Sequence, residues 1–118
     1  ALKSYHGRLL VMFQPHGFAP MRLMGKEIVE SFVSQMSDDD ILLIPEIYFS
    51  GGSAVKDISS NDLGNHAKSF GKKAIFFEKR DDLYQELLKQ AKVGDRIVLM
   101  GARDNSITDM GYSLLEKL

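Results

Sequence analysis

Phe13-Gln14-Pro15-His16-Gly17-Phe18-Ala19-Pro20-Met21-Arg22 directly follows the apolar run Leu9-Leu10-Val11-Met12 and leads into a helical pattern. An apolar run of that length, closed by a proline that cannot donate a ladder bond, reads as a buried strand that stops at its C-terminal end. Polar and turn-forming residues therefore sit at the edge where open α/β sheets bind ligands.

Three further apolar runs repeat the pattern. Together the four strands are Arg8–Phe13, Ile41–Pro45, Lys73–Phe77 and Arg96–Met100. Their near-continuous hydrophobicity suits strands covered on both faces. Helices separate them. The first runs from Met21 to Met36, with Met24, Ile28, Phe32 and Met36 forming an apolar stripe. The second opens at Ser59-Ser60-Asn61-Asp62, where Asp62 completes a partial capping box, and stops at Gly71. The third starts at Asp81 or Asp82 and buries Leu83, Leu87 and Leu88. The last runs from about Ser106 to Leu118. Alternation of strand and helix predicts an α/β, Rossmann-like domain, a mostly parallel sheet sandwiched between helices.

The 118 residues suffice for one domain with its own core, and no linker or internal repeat divides them. Fifteen basic and sixteen acidic side chains leave a formal net charge of -1, which gives no footing to a nucleic-acid binder. Without cysteine there is neither a disulfide framework nor a thiolate metal site, as in a reducing cytosol. No apolar stretch reaches the roughly 18 residues of a membrane span. Ala1–His6 lacks the apolar core of a signal peptide. It also lacks an initiator methionine, and Ala1–Ser4 reads as the end of a helix, so the expectation is a piece of a longer chain.

Chemistry is expected at the strand ends. His16 can donate, accept or pair with an anion, and Arg22 can fork onto a carboxylate or phosphate near a helix N-terminus. Glu46, after the second strand, can orient either residue or accept from a ligand amine, with Gly51 and Gly52 giving room nearby. After the fourth strand, Gly101-Ala102-Arg103-Asp104-Asn105-Ser106 opens a helix in a geometry suited to an anion. It is neither a phosphate loop of the Gly-x-x-x-x-Gly-Lys-Ser/Thr kind nor Gly-x-Gly-x-x-Gly. His6, His16 and His66 show no metal-ligand spacing, and no metal site is expected. Asp38-Asp39-Asp40 precedes a strand and reads as a solvated turn.

Phe13-Gln14-Pro15-His16 resembles the strand-end motif in the C-terminal domain of the Mur ligases, closest to the muramate–alanine ligase branch, where the motif reads Phe-Gln-Pro-His-Arg-Tyr-x-Arg-x-Arg. Arg22 matches the last arginine and Phe18 replaces the tyrosine. Gly17 and Pro20 stand in place of the two arginines expected to hold the acceptor's carboxylate, which neither residue can do. Pro45–Gly52 is similar to the family's Asp-Ile-Tyr-x-Ala-Gly segment, with Glu46 for Asp. Gly101, Ala102 and Ile107 loosely fit Gly-Ala-Gly-x-Ile-Gly.

The resemblance implies one domain of an ATP-dependent, cytoplasmic ligase that adds an amino acid to a UDP-N-acetylmuramate-type peptidoglycan precursor. His16, Arg22 and Glu46 would bind substrate, and Gly101, Ala102, Arg103, Asp104 and Ser106 would line the cleft on the nucleotide side. No catalytic residue is expected in this stretch. ATP and Mg2+ would serve the full enzyme, with an N-terminal UDP-sugar-binding domain and a central ATPase domain as partners in the same chain. The isolated domain would need neither. A second expectation, from another class, is a free-standing flavodoxin-like binding or regulatory module.

Overall fold

The computed structural model describes residues 7–15, 17–47, 58–101 and 105–117. The strands are β1 (Leu9–Gln14), β2 (Ile41–Pro45), β3 (Lys73–Phe77) and β4 (Arg96–Gly101). The helices are α1 (Phe18–Gln35), α2 (Ser60–Lys68), α3 (Arg80–Gln90) and α4 (Asn105–Lys117). Among the described residues the sheet is entirely parallel, in the order β3-β2-β1-β4. The expected α/β architecture is thus what forms, and two strand ranges match to the residue.

Period-2 alternation sends successive β1 side chains to opposite faces. Leu9 and Val11 join Met21, Val29, Val33, Met36, Leu63 and Ala67 under α1 and α2. Leu10 and Met12 join Leu83, Leu87, Met110 and Leu114 under α3 and α4. Right-handed crossovers place α1 and α2 on one face while the chain steps from β1 to β3. The return to β4, on the other side of β1, puts α3 on the opposite face. The direction of travel therefore reverses between β1 and β4, which is the switch point where open α/β sheets form a crevice.

Three local expectations are corrected. The helix α1 starts at Phe18, upstream of Met21, because Pro20 falls in the first turn, where an N–H has no intrahelical acceptor to lose. Its core-facing stripe is Met21, Gly25, Val29, Val33 and Met36, whereas Met24 is 49% exposed and Ile28 and Phe32 are half-buried at the margin. A glycine in the stripe hid it from a search for large apolar residues. The third correction concerns Asp40, which is buried and not part of a solvated turn. Its Oδ1 accepts from the Leu9 N–H at 2.8 Å and its Oδ2 from the Ser37 N–H at 2.7 Å, tying the starts of β1 and β2 together. The capping box is present at the start of α2, where the Asp62 carboxylate accepts from the Ser59 N–H at 2.9 Å.

Candidate functional site

The register of β1 against β4 sets Gln14 opposite Gly101. The C-terminal ends of β1 and β4, far apart in sequence, thus lie side by side. Gly17 has φ 84°, a left-handed value that glycine adopts without a steric penalty, and this lets the chain turn from β1 directly into α1. Among the described residues no side chain caps α1 at this end, and its first turn holds no acidic residue.

Gln14 organises the edge. It is 3% exposed. Its Nε2 donates to the carbonyl oxygens of Pro15 (2.8 Å) and Glu46 (2.9 Å), and its Oε1 accepts from the Arg80 guanidinium at 2.5 Å. One amide therefore joins the ends of β1 and β2 to the first residue of α3. Donation to two carbonyls fixes which way the amide points, since a flipped amide would set oxygen against oxygen.

Glu46 lies beside this hub, partly buried. Its Oε1 accepts from the backbone N–H groups of Ile47 (2.9 Å) and Ser60 (3.0 Å), so the carboxylate sits at the N-terminus of α2, where a negative charge is favoured. Arg22 falls in the second turn of α1 and is exposed. With Lys26, Ile58, Asp62, Asn65, His66 and Ser69 it lines an open groove of about 560 Å³ between α1 and α2. There the His66 Nε2 lies 3.1 Å from Glu30 Oε2.

The strand ends therefore bring Gln14, Glu46 and Gly101 to one edge, and Arg22 turns toward the α1–α2 groove. Ser106 is the second residue of α4. His16, Ala102, Arg103 and Asp104 lie outside the described residues. Sequence reasoning missed Gln14 and Arg80 as site-building residues. A lone polar amide closing an apolar strand was the available signal for Gln14, while nothing local marked Arg80, whose partner is 66 positions away.

Comparison with known proteins gives this edge its context. The chain is 31% identical to UDP-N-acetylmuramate–L-alanine ligase of Syntrophomonas wolfei over 119 aligned positions, covering 100% of this chain and 24% of the relative. It is 32% identical to the enzyme of that name from Myxococcus xanthus, with the same coverage. A third, from Geotalea uraniireducens, is 34% identical over 94% of the chain and 23% of the relative. This chain is a Mur ligase homologue. It spans about a quarter of the length of the relatives it matches, as one domain of a larger Mur ligase would. No protein-family model matches the chain. Mur ligase relatives lend no support to a free-standing flavodoxin-like module.

Among the described residues no group of three His, Cys, Asp or Glu side chains is arranged to hold a metal ion. The sequence also lacks the glycine-rich lysine loop that cradles a triphosphate. Nor is any helix among the described residues long and apolar enough to cross a membrane.

Proposed function

We propose that these residues form the C-terminal domain of a cytoplasmic, ATP-dependent Mur-type ligase. It would join an amino acid to a UDP-N-acetylmuramate-type peptidoglycan precursor. Full-length coverage of this chain by enzymes named for that reaction is the observation that carries the reading. ATP and Mg2+ belong to a central ATPase domain of the same chain, and the UDP-sugar to an N-terminal domain. The part assigned to this domain is to present the acceptor and close the cleft, by orientation and charge neutralisation.

His16, Arg22 and Glu46 are the substrate-side residues in this reading, and Gly101, Ala102, Arg103, Asp104 and Ser106 form the nucleotide-side loop. The adjacency of Gln14 and Gly101 at the switch point supports it. Two backbone N–H groups already engage Glu46, so a positioning role at the start of α2 fits its carboxylate better than an isolated ligand contact.

The test is amide formation by the complete enzyme with ATP, a UDP-muramate-type acceptor of the activating phosphate and a panel of amino acids. Arg22→Ala is expected to lower kcat/KM at least about tenfold through poorer substrate orientation. Unchanged steady-state constants would remove Arg22 from the site. Absence of ATP-dependent amide formation with every amino acid would overturn the ligase reading itself.

A further inference from the structure

Backbone pairing of β1 with β2 runs through Leu10↔Ile41, Val11↔Leu42 and Met12↔Leu43. Continued in that register, it sets Pro15 opposite Glu46, where the two strands end. Pro15 and Pro45 bring no N–H to this end, so the backbone ladder is short of donors beside the candidate site. A side chain makes up the shortfall. By alternation with Leu10 and Met12, Gln14 points to the face of the sheet that α3 covers. Its Nε2 donates to the carbonyls of Pro15 at 2.8 Å and Glu46 at 2.9 Å. Both amide hydrogens are thus directed at strand ends, and Oε1 accepts from Arg80 at the start of α3. Glu46 carries the connection onward, since its Oε1 accepts from the Ser60 N–H at 3.0 Å, in the first turn of α2.

We infer that Gln14 is a positioning residue. Its amide stands in for the missing ladder donors, sets the spacing of the β1 and β2 ends, and thereby places Glu46 for the incoming amino acid, a role that rests on the ligase reading. Position 14 admits few other side chains. Gln14 is buried, so an apolar residue there would leave both carbonyls without this donor. A glutamate would keep the Arg80 contact but set oxygen against oxygen at both carbonyls. An amide of this length donates twice on one side and accepts on the other. Buried polar networks that are fully satisfied rigidify the groups they join, and a displacement near 1 Å at a substrate site costs up to about a hundredfold in rate.

The placement of Glu46 can be read without turnover, from hydrogen exchange at the Ile47 and Ser60 N–H groups that donate to its carboxylate. In Gln14→Glu both amides are expected to lose protection at least about tenfold, while Val11 and Leu42, inside the β1–β2 pairing, keep theirs. Gln14→Met removes the same two donations without adding a charge, so it decides the matter even if Gln14→Glu disturbs folding. In the complete enzyme either variant should raise KM for the amino acid at least about fivefold and leave KM for ATP within about twofold. Unchanged protection at Ile47 and Ser60 would overturn the inference. A loss spread evenly over the sheet would also overturn it, because Gln14 would then support stability alone. So would local loss of protection with an unaltered amino-acid KM. Absence of amide formation by the wild-type enzyme would sink the ligase reading instead, and the exchange data would still decide whether Gln14 sets Glu46.

Discussion

Asp40 shows how much one side chain can hold. Two backbone N–H groups, from Leu9 and Ser37, donate to its two oxygens, and the Leu9 bond is buried. Asp40→Ala leaves both donors without this acceptor, and unsatisfied buried groups cost about 1–3 kcal/mol each. The expected loss of stability is about 2–4 kcal/mol, read from the urea midpoint at constant slope. A loss too small to measure would mean that water replaces the carboxylate. At the same end of the sheet, Arg8 and Asp95 form a forked pair, with Nε to Oδ1 at 3.1 Å and the second guanidinium nitrogen to Oδ2 at 2.6 Å. Hydrogen bonding from Arg8, reinforced by the Lys92 N–H, holds the Asp95 carboxyl below its ordinary value despite desolvation. A depressed folded-state pKa means that the unfolded chain binds the proton more readily, so stability rises with pH through this range. The contribution is complete above the ordinary carboxylate range, near pH 4, and is lost as pH falls through the lower folded value. Thermal melts of Asp95→Asn should start lower at neutral pH and lose part of the acid-side slope. Parallel curves for the two proteins would remove this pair from the acid response.

At the scale of elements, the α1–α2 contact turns on two glycines with opposite roles. A Cβ on Gly25 would come within 2.7 Å of Leu63 Cδ2, and Leu63 is fully buried. A Cβ on Gly64 would meet nothing within 4 Å. Alanine gains up to about 1 kcal/mol over glycine inside a helix, while overpacking costs about 1–3 kcal/mol. Gly64→Ala is therefore expected to raise the melting temperature and Gly25→Ala to lower it. A double-mutant cycle should show Gly25→Ala with Leu63→Ala costing less than the sum of the two, because the second change removes the clash of the first. Additivity would show that α1 relaxes away from α2 instead. This contact also explains the corrected stripe on α1. Fourfold spacing of Met24, Ile28 and Phe32 located the helix, but the line of closest approach runs through Gly25, one residue over.

For the whole molecule, each face of the sheet carries its own helix layer and core, so this chain is expected to fold alone in one cooperative transition. Incubated with ATP, Mg2+, a UDP-muramate-type substrate and amino acids, it is expected to form no amide, because its sequence holds no glycine-rich lysine loop for a triphosphate. Turnover by these residues alone would refute that division of labour.

What the sequence determined is whatever depends on neighbours along the chain. Four apolar runs ended by proline, glycine and aspartate specified the strands, and period-2 burial with helical crossovers specified a parallel sheet. Capping chemistry at Ser59 and Asp62 fixed the start of α2 for the same local reason. Phe13-Gln14-Pro15-His16 was distinctive enough to point to the Mur ligases before any geometry was known. Tertiary structure decided the rest. Strand order placed Gln14 beside Gly101 and made the switch point. It carried Arg80 back across 66 positions to Gln14 and turned Asp40 from a charge in a turn into a buried acceptor. It also gave Glu46 backbone partners at the start of α2. None of these is legible locally, because a polar side chain takes its role from the donors and acceptors that folding brings to it, and those come from residues that the local pattern does not connect.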